Sequence, residues 1–379
     1  MSFEFNGSPR PTIGVEIELG LVDQTTGALS NSIHPLLAKV PEPLHAFVKP
    51  EFKQSYCEII TDVCTDVVGI ERDLEGKLEQ VEQAADQCGL GLLWSATHPF
   101  SLWSDQQLTR DPRYEWLMDT MQFVAERLTV FGMHIHVGVD SGDKAIQMCD
   151  RLLRHLPTML ALSANSPHWC ARDTGLESYR SKVMESLPTA GMPFPLRNWS
   201  EYVWMINHLI STGFIHSIRE IWWDVRPHAK FGTVEIRVMD QPMSMRHLLG
   251  LAALTQALVA GISDDIDRGA YQFDSHPMIA KQNKWHAARY GMNASFVDFD
   301  TMLAIPARQM ARRLIDQVTP FADRLGCLEQ LHYLDEIIDE GSGAERQRRV
   351  FEETGQMTDV VHYLLAERAK EQKARVTGA

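Results

Sequence analysis

Three pairs of polar side chains interrupt apolar stretches at a spacing of two: Glu16 with Glu18 in TIGVEIELGLVD, His134 with His136 in MHIHVGV, and Glu235 with Arg237 in GTVEIRVMD. A further carboxylate, Glu58, sits inside YCEIIT. Side chains two apart on a strand share a face, so such pairs on neighbouring strands can converge on one polar sheet surface. Carboxylates crowded on a half-buried face repel each other, and a cation or protonation relieves the cost. Each pair also has an ordinary reading: a solvated acidic edge, two hydrogen-bonded sheet histidines, or a same-face ion pair worth roughly 0.2 to 1 kcal/mol. Together they describe a site rich in oxygen ligands with imidazole mixed in. Glu16, Glu18, Glu58, His134, His136 and Glu235 are its candidate metal ligands. Such donors suit magnesium, and the imidazoles extend tolerance to manganese. Ions of this kind bridge phosphates, and the planar fork of Arg237, beside Glu235, suits a phosphoryl group in transit. The chemistry indicated is phosphoryl transfer. No G-x-x-x-x-G-K-[ST] occurs and no G-x-G-x-x-G follows a strand, so metals and sheet would hold any nucleotide.

Binding groups lie elsewhere too. The segment from Asn165 to Asn198 carries Arg172, Asp173, Thr174, Tyr179, Arg180, Ser181 and Thr189, a mixture of arginines and hydroxyls that would take a small carboxylate or phosphate, or else form a solvated loop. Asn283, Lys284, Trp285 and Arg289 offer cations near an aromatic face, as a nucleotide site or a helix surface would. Trp222 and Trp223 precede Asp224, Arg226 and His228. At least one indole is expected to be buried, with Arg226 free to face the site.

The elements that must position these residues are mixed. Strands are expected over 12–23, 54–63, 91–99 and 133–139, and as a hairpin of 221–225 with 232–239 around PHAKFG. Helices are expected over 66–88, ended by Gly89, then over 114–131, 143–163 and 200–211, and through most of the chain from about 240 to 373, with interruptions near Pro277, Pro306, Pro320 and Gly341. The stretch 165–198 reads as a long polar loop whose length and Gly191 suit a lid. The spacing of strands and helices is too uneven for a βαβ repeat, which gives an α+β fold with an antiparallel sheet. One domain over 1–379 is expected, with a sheet core over 12–291 and a helical layer over 292–379.

At 379 residues, 44% hydrophobic and 23% charged, the chain is long enough for a sizeable core and falls in the globular range. Its net charge of -14 repels phosphate backbones, which argues against a nucleic-acid partner. Six cysteines without a C-x-x-C pair favour reduced thiols and the cytoplasm. The start has no secretory pattern, and the apolar run Leu248–Ile262 carries Gln256 and is short for a span, so no membrane partner is expected. The apolar helices suit a homodimer.

In their order, GVEIEL, CEIITDV, MHIHVGV, ALSANSP with RDTGLESYRSKV, WWDVRPH with GTVEIRVMD, and NKWHAARYG resemble the type 2 glutamate-cysteine ligase family, which includes the YbdK-like carboxylate-amine ligases. The resemblance runs from about Thr12 to Gly291 and continues more weakly into the C-terminal helices. It implies a glutamine-synthetase-like catalytic core, a curved antiparallel sheet holding ATP and divalent ions with helices packed on one side. It also implies a reaction: ATP phosphorylates a substrate carboxylate, usually the γ-carboxyl of glutamate, and an amine displaces the phosphate to form an amide. Glu16, Glu18, Glu58, His134 and Glu235 then match metal ligands, Arg237 a phosphate contact and Arg180 a substrate-carboxylate contact. Small amino acids would be the substrates, with cysteine a candidate amine. Two readings compete: a metal-dependent hydrolase of the amidohydrolase kind, which also presents H-x-H on a strand, and a protein that binds metal or ligand without turnover.

Overall fold

The computed structural model describes residues 4–272 and 276–377. Strand β1 (Ile13–Asp23) has the alternation its sequence demands: Ile13, Val15, Ile17, Leu19 and Leu21 are fully buried on one face, while Glu16 and Glu18 on the other are half-buried. Around it lie β2 (Val48–Pro50), β3 (Tyr56–Ile60), β4 (Leu90–Leu93) and β5 (Met133–Gly138). Further along come a small hairpin of β6 (His168–Trp169) and β7 (Arg172–Asp173), and then β8 (Val225–His228) and β9 (Thr233–Ile236). The main sheet runs β2-β3-β1-β5-β9-β8, with β4 pairing the end of β1, and every pairing in it is antiparallel. This is the α+β fold with an antiparallel sheet that the spacing indicates.

The apolar face of the sheet is covered by helices Val67–Asp86, Gly142–Leu152 and Met245–Asp267, whose buried residues join β1, β5 and β9 in one cluster. Side chains of Asp66, Ser141 and Ser244 cap their first turns, and Gly89 at φ +68° follows the first of them, as expected. The cluster extends to Ile338, so the C-terminal helices share the same core. Met245–Asp267 is the one helix among the described residues long and apolar enough to cross a membrane, and it is buried inside the protein. Its Gln256 donates to the carbonyls of Pro11 at 2.8 Å and Thr65 at 2.9 Å, which is how a polar side chain survives there.

Several expected boundaries move. The helix expected over 114–131 is Pro112–Met121, because Gln122 takes φ +50° and only the turn Phe123–Glu126 follows. The helix over 143–163 breaks into Gly142–Leu152 and Leu156–Ser163, with Pro157 opening the second piece. The stretch 165–198 is no open loop: it holds β6, β7 and the helix Arg180–Met184. Its hydroxyls are spent within the protein: Ser166 at 2.6 Å and Ser178 at 2.8 Å donate to the buried carboxylate of Asp240, and Thr174, Ser181 and Thr189 donate to the carbonyls of Pro167, Ser178 and Glu220. The hairpin shifts: β8 (Val225–His228) overlaps the expected strand 221–225 only at Val225 and runs into the expected turn, β9 is shorter than 232–239, and Pro320 is carried inside Ala307–Leu325 instead of ending it. A strand pair, Ser295–Val297 with Ala304–Pro306, interrupts the helical C-terminal region.

One buried histidine gives a pH prediction. His98 (1% exposed) follows β4, and its Nε2 lies 2.8 Å from the Gly27 carbonyl while Nδ1 accepts from Ser101 N at 2.9 Å. Burial pushes its pKa from the ordinary 6.5 down to about 4. The unfolded chain therefore binds the proton first, and stability falls as pH drops from 6.5 through 4. At pH 5 this residue alone accounts for about 0.9 proton taken up on unfolding. Urea unfolding free energies measured from pH 7 to 4.5 should fall with that slope, and His98→Gln should reduce it by nearly one proton; an unchanged slope would show that His98 titrates normally.

Candidate active site

Opposite the helices, the polar face of the sheet floors a cavity of about 490 Å³. Strand register assembles it. Glu16 on β1 stands across from His134 on β5, Glu18 across from Glu58 on β3, and Glu235 on β9 lies between His136 and Arg226 of its two neighbours. All six candidate metal ligands line this cavity, as do Arg180, Arg226 and Arg237. The period-2 pairs thus meet on one surface.

Two sets of ligand atoms lie within 4.8 Å of one another: Glu16, Glu58 and His134, and Glu16, His136 and Glu235. Glu16 belongs to both. Its Oε2 is 3.2 Å from His134 Nδ1 and its Oε1 is 3.3 Å from His136 Nε2. Burial pushes the Glu16 carboxyl up, but the adjacent imidazoles of His134 and His136 outweigh it and hold the group well below the usual carboxylate range. Glu58 goes the other way: burial, and then the charges of Glu16, Glu51 and Glu18, push it well above that range. Glu235, 1% exposed, is held far down against its burial by Arg226, Arg237 and His136.

The donor set fits a hard divalent ion. Oxygen donors dominate, two imidazoles complete the sets, and the repulsion that lifts Glu58 is the kind a cation removes. His136 Nε2 is buried and has no partner in hydrogen-bond geometry, while its Nδ1 is fixed by Thr233 Oγ1 at 3.0 Å. That leaves Nε2 free to ligate. His134 Nδ1 lies 3.2 Å from Glu16 and 3.4 Å from Arg237 Nη1. Burial and then Arg237 keep this imidazole below its ordinary pKa, and a single ring nitrogen cannot both donate to the carboxylate and accept from the guanidinium. A cation between Glu16 and His134 would resolve the conflict.

The arginines divide their work. Arg226 donates from Nε to Glu235 Oε2 at 2.7 Å and from Nη1 to the carbonyls of Ile221 at 2.7 Å and Ile218 at 3.0 Å. It is committed to holding Glu235, which corrects its expected role as a substrate contact. Arg237 pairs with the other Glu235 oxygen and reaches toward His134. Arg180 keeps a buried Nε without a partner while lining the cavity.

Other expected site residues are not brought here. Tyr179 packs its ring on Trp169 at 5.5 Å and is absent from the cavity wall. Asn283 spends its amide on Val297, donating to its carbonyl and accepting from its N–H at 2.8 Å each, and lines a different cavity beside Asp298. Trp285 is exposed against Lys182, and Arg289 lies over Tyr290. Lys284 between them is buried in ion pairs with Asp224 and Glu185, both at 2.6 Å. This run braces the fold and does not line the carboxylate cavity. Sequence reasoning missed Lys49, Glu51, Arg113, Tyr114 and Arg219, which do line it. Lys49 and Glu51 repeat the period-2 signal, masked by the Pro50 between them. Burial and then Glu18 push Glu51 up to about 7, and Tyr114 Oη donates to it at 3.3 Å.

Comparison with known proteins bears on what such a surface does. The model of the glutamate-cysteine ligase family 2 matches residues 12–363. The chain belongs to that family. It is 39% identical over 363 residues, covering 95% of this chain and 98% of the other, to a protein of Gloeobacter violaceus provisionally named glutamate–cysteine ligase 2. It is 40% identical over 371 residues, 97% of this chain and 93% of the other, to a Thermobifida fusca protein with the same provisional name. Among solved structures, a glutamate–cysteine ligase of Francisella tularensis in complex with AMP superposes with a TM-score of 0.71 at 13% identity, covering 96% of this chain and 90% of that one. A bifunctional glutathione synthetase of Pasteurella multocida gives 0.71 at 16%, covering 95% and 52%. Those two likenesses establish the fold. As a member of glutamate-cysteine ligase family 2, the protein is an ATP-dependent ligase that joins a carboxylate to an amine. The hydrolase alternative falls: the sheet is antiparallel, not a parallel barrel, and each ligand set holds two carboxylates and a single histidine.

Proposed function

We propose that the acid is glutamate, activated at its γ-carboxyl, and that cysteine or a similar small amino acid supplies the amine. The observation that carries this is the pair of ligand sets sharing Glu16 beside two arginines, Arg180 and Arg237, on one cavity wall. Glu16, Glu58 and His134 would hold one magnesium ion and Glu16, His136 and Glu235 another, with Glu18 beside them and manganese as a substitute. Ions held there would supply neutralisation of the charge on the transferring phosphoryl group. Arg237, steadied by Glu235, stabilises the same charge from the sheet side, and Glu235 is steadied in turn by Arg226. A substrate carboxylate oxygen attacks the γ-phosphorus of ATP, the bond to ADP breaks, and the acyl phosphate forms. The amine nitrogen then attacks the acyl carbon, phosphate leaves and the nitrogen loses a proton.

Arg180 is suited to the second carboxylate of the acid, since its largely buried guanidinium side chain lines the cavity. Phe52, Leu117, Leu128, Val130 and Leu187 form an apolar stretch of the wall that would take the uncharged side chain of the amine. The provisional names of the relatives support the glutamate and cysteine pair. Six free cysteines suit the cytoplasm. A homodimer would need surface other than Met245–Asp267, which is buried within the chain, and sedimentation velocity reads it directly.

The test is ADP formation with magnesium and ATP over a panel of amino acids, each alone and then in pairs. L-glutamate with L-cysteine should give ADP, phosphate and a dipeptide in equal amounts. A different pair turning over at least tenfold faster would replace the substrates proposed here.

A further inference from the structure

We propose that Gly132 and Asp240 are positioning residues that fix the guanidinium of Arg180 in one orientation and so set the preference for a substrate bearing a second carboxylate. The proposal rests on the reading that Arg180 meets a substrate carboxylate, and it adds what holds it there. Gly132 directly precedes β5 and has an isolated bridge to Asp240. It is pinned to β1 twice: its N–H donates to Glu18 Oε2 at 2.5 Å and its carbonyl accepts from Glu18 N at 3.0 Å. A Cβ built on Gly132 would lie 2.1 Å from Arg180 Nη2 and 2.6 Å from Cζ. The guanidinium therefore occupies the space that any other residue's side chain would fill. The glycine is needed for this close approach, since its backbone lies outside the positive-φ region.

Asp240 holds the other side. It is fully buried, and its Oδ1 stands 3.9 Å from Arg180 Nη1. Its oxygens also accept from Asn165 N at 3.0 Å, Ser166 Oγ at 2.6 Å and Ser178 Oγ at 2.8 Å, and Ser166 Oγ accepts from the Arg180 N–H at 3.1 Å. One carboxylate thus braces both the Arg180 head and the segment that delivers its backbone. Arg180 Nη2 points to the Arg237 carbonyl at 3.4 Å, and the buried Nε has no protein partner. Arg180 is 4% exposed yet lines the cavity, so a small part of this braced side chain meets whatever the cavity holds. Gly132 lies between Glu18 of the acidic cluster and Arg180, and so sets the spacing between the reacting centre and the carboxylate reader.

Gly132→Ala should move a flexible side chain aside, leave the Tm close to wild type, and raise KM for L-glutamate at least about 30-fold with KM for ATP within about twofold. Asp240→Asn should raise it about fivefold. Gly132→Ala made in an Arg180→Ala background should add nothing further, because both changes act through one group. Wild type should prefer L-glutamate to 4-aminobutyrate, which lacks the second carboxylate, and Gly132→Ala should lose most of that preference. If KM rises instead for the amine, the positioning role stands and the placement of glutamate at Arg180 is wrong. If Gly132→Ala leaves both amino-acid KM values unchanged, or its loss adds to that of Arg180→Ala, the positioning role is overturned.

Discussion

Glu16→Gln should reduce ADP release by at least about 10³-fold at saturating magnesium, because the loss of a ligand common to two ions removes several kcal/mol of charge stabilisation from phosphoryl transfer. The size of the effect follows from the sharing. Each set has three residues, and Glu16 is the one they have in common, placed between His134 and His136 by its register on the central strand. The amide keeps the shape and one acceptor oxygen, so the strand pairing and the core behind Ile17 and Val15 are unaffected. Circular dichroism and the urea midpoint should therefore stay close to wild type while steady-state ADP release collapses. The variant should also weaken magnesium binding, read by calorimetry with the metal alone. Wild-type turnover in Glu16→Gln would remove the basis for a two-ion site on this face.

What the sequence made legible here was whatever repeats at period two. Glu16 with Glu18, His134 with His136 and Glu235 with Arg237 stand on strands whose apolar partners alternate cleanly, and one-face placement then follows from backbone geometry alone. Register was not legible: nothing in the chain says that Glu18 faces Glu58 or that Glu235 stands between His136 and Arg226. Groups whose roles depend on tertiary partners were misread for the same reason. The hydroxyls of 165–198 look like a ligand loop until Asp240, more than 60 residues from Ser178, takes Ser166 and Ser178, and backbone carbonyls take Thr174, Ser181 and Thr189. Asn283, Trp285 and Arg289 look like a nucleotide site until helix Pro277–Tyr290 commits Asn283 to Val297 and leaves Trp285 outside. Arg226 reads as a free cation until it closes on Glu235. A polar residue inside an apolar strand announces itself, whereas a polar residue among polar neighbours needs its partner named first.

Glu58→Gln should have opposite effects on stability and activity. Glu58 stands across from Glu18, a like-charge cross-strand pair of the kind that destabilises a sheet, and Glu16 and Glu51 add to the crowding. Its carboxyl is held above the ordinary range, so the folded protein binds that proton more tightly than the unfolded chain. The resulting penalty is absent at low pH and grows as pH rises from the ordinary 4.5 through the folded value. Glutamine removes the charge and keeps the shape. Without metal at pH 8, the variant should melt roughly 2 °C or more above wild type. Adding millimolar magnesium should raise the wild-type Tm, since an ion that binds only the folded state stabilises it by mass action, and should raise the variant's much less. ADP release should fall at least about 10²-fold, the cost of losing one ligand of one ion. The two signs together separate a site built for a cation from an acidic patch. If Glu58→Gln lowers the metal-free Tm, or keeps the full magnesium response, then the crowding of Glu16, Glu18 and Glu58 has some other purpose than holding the metal.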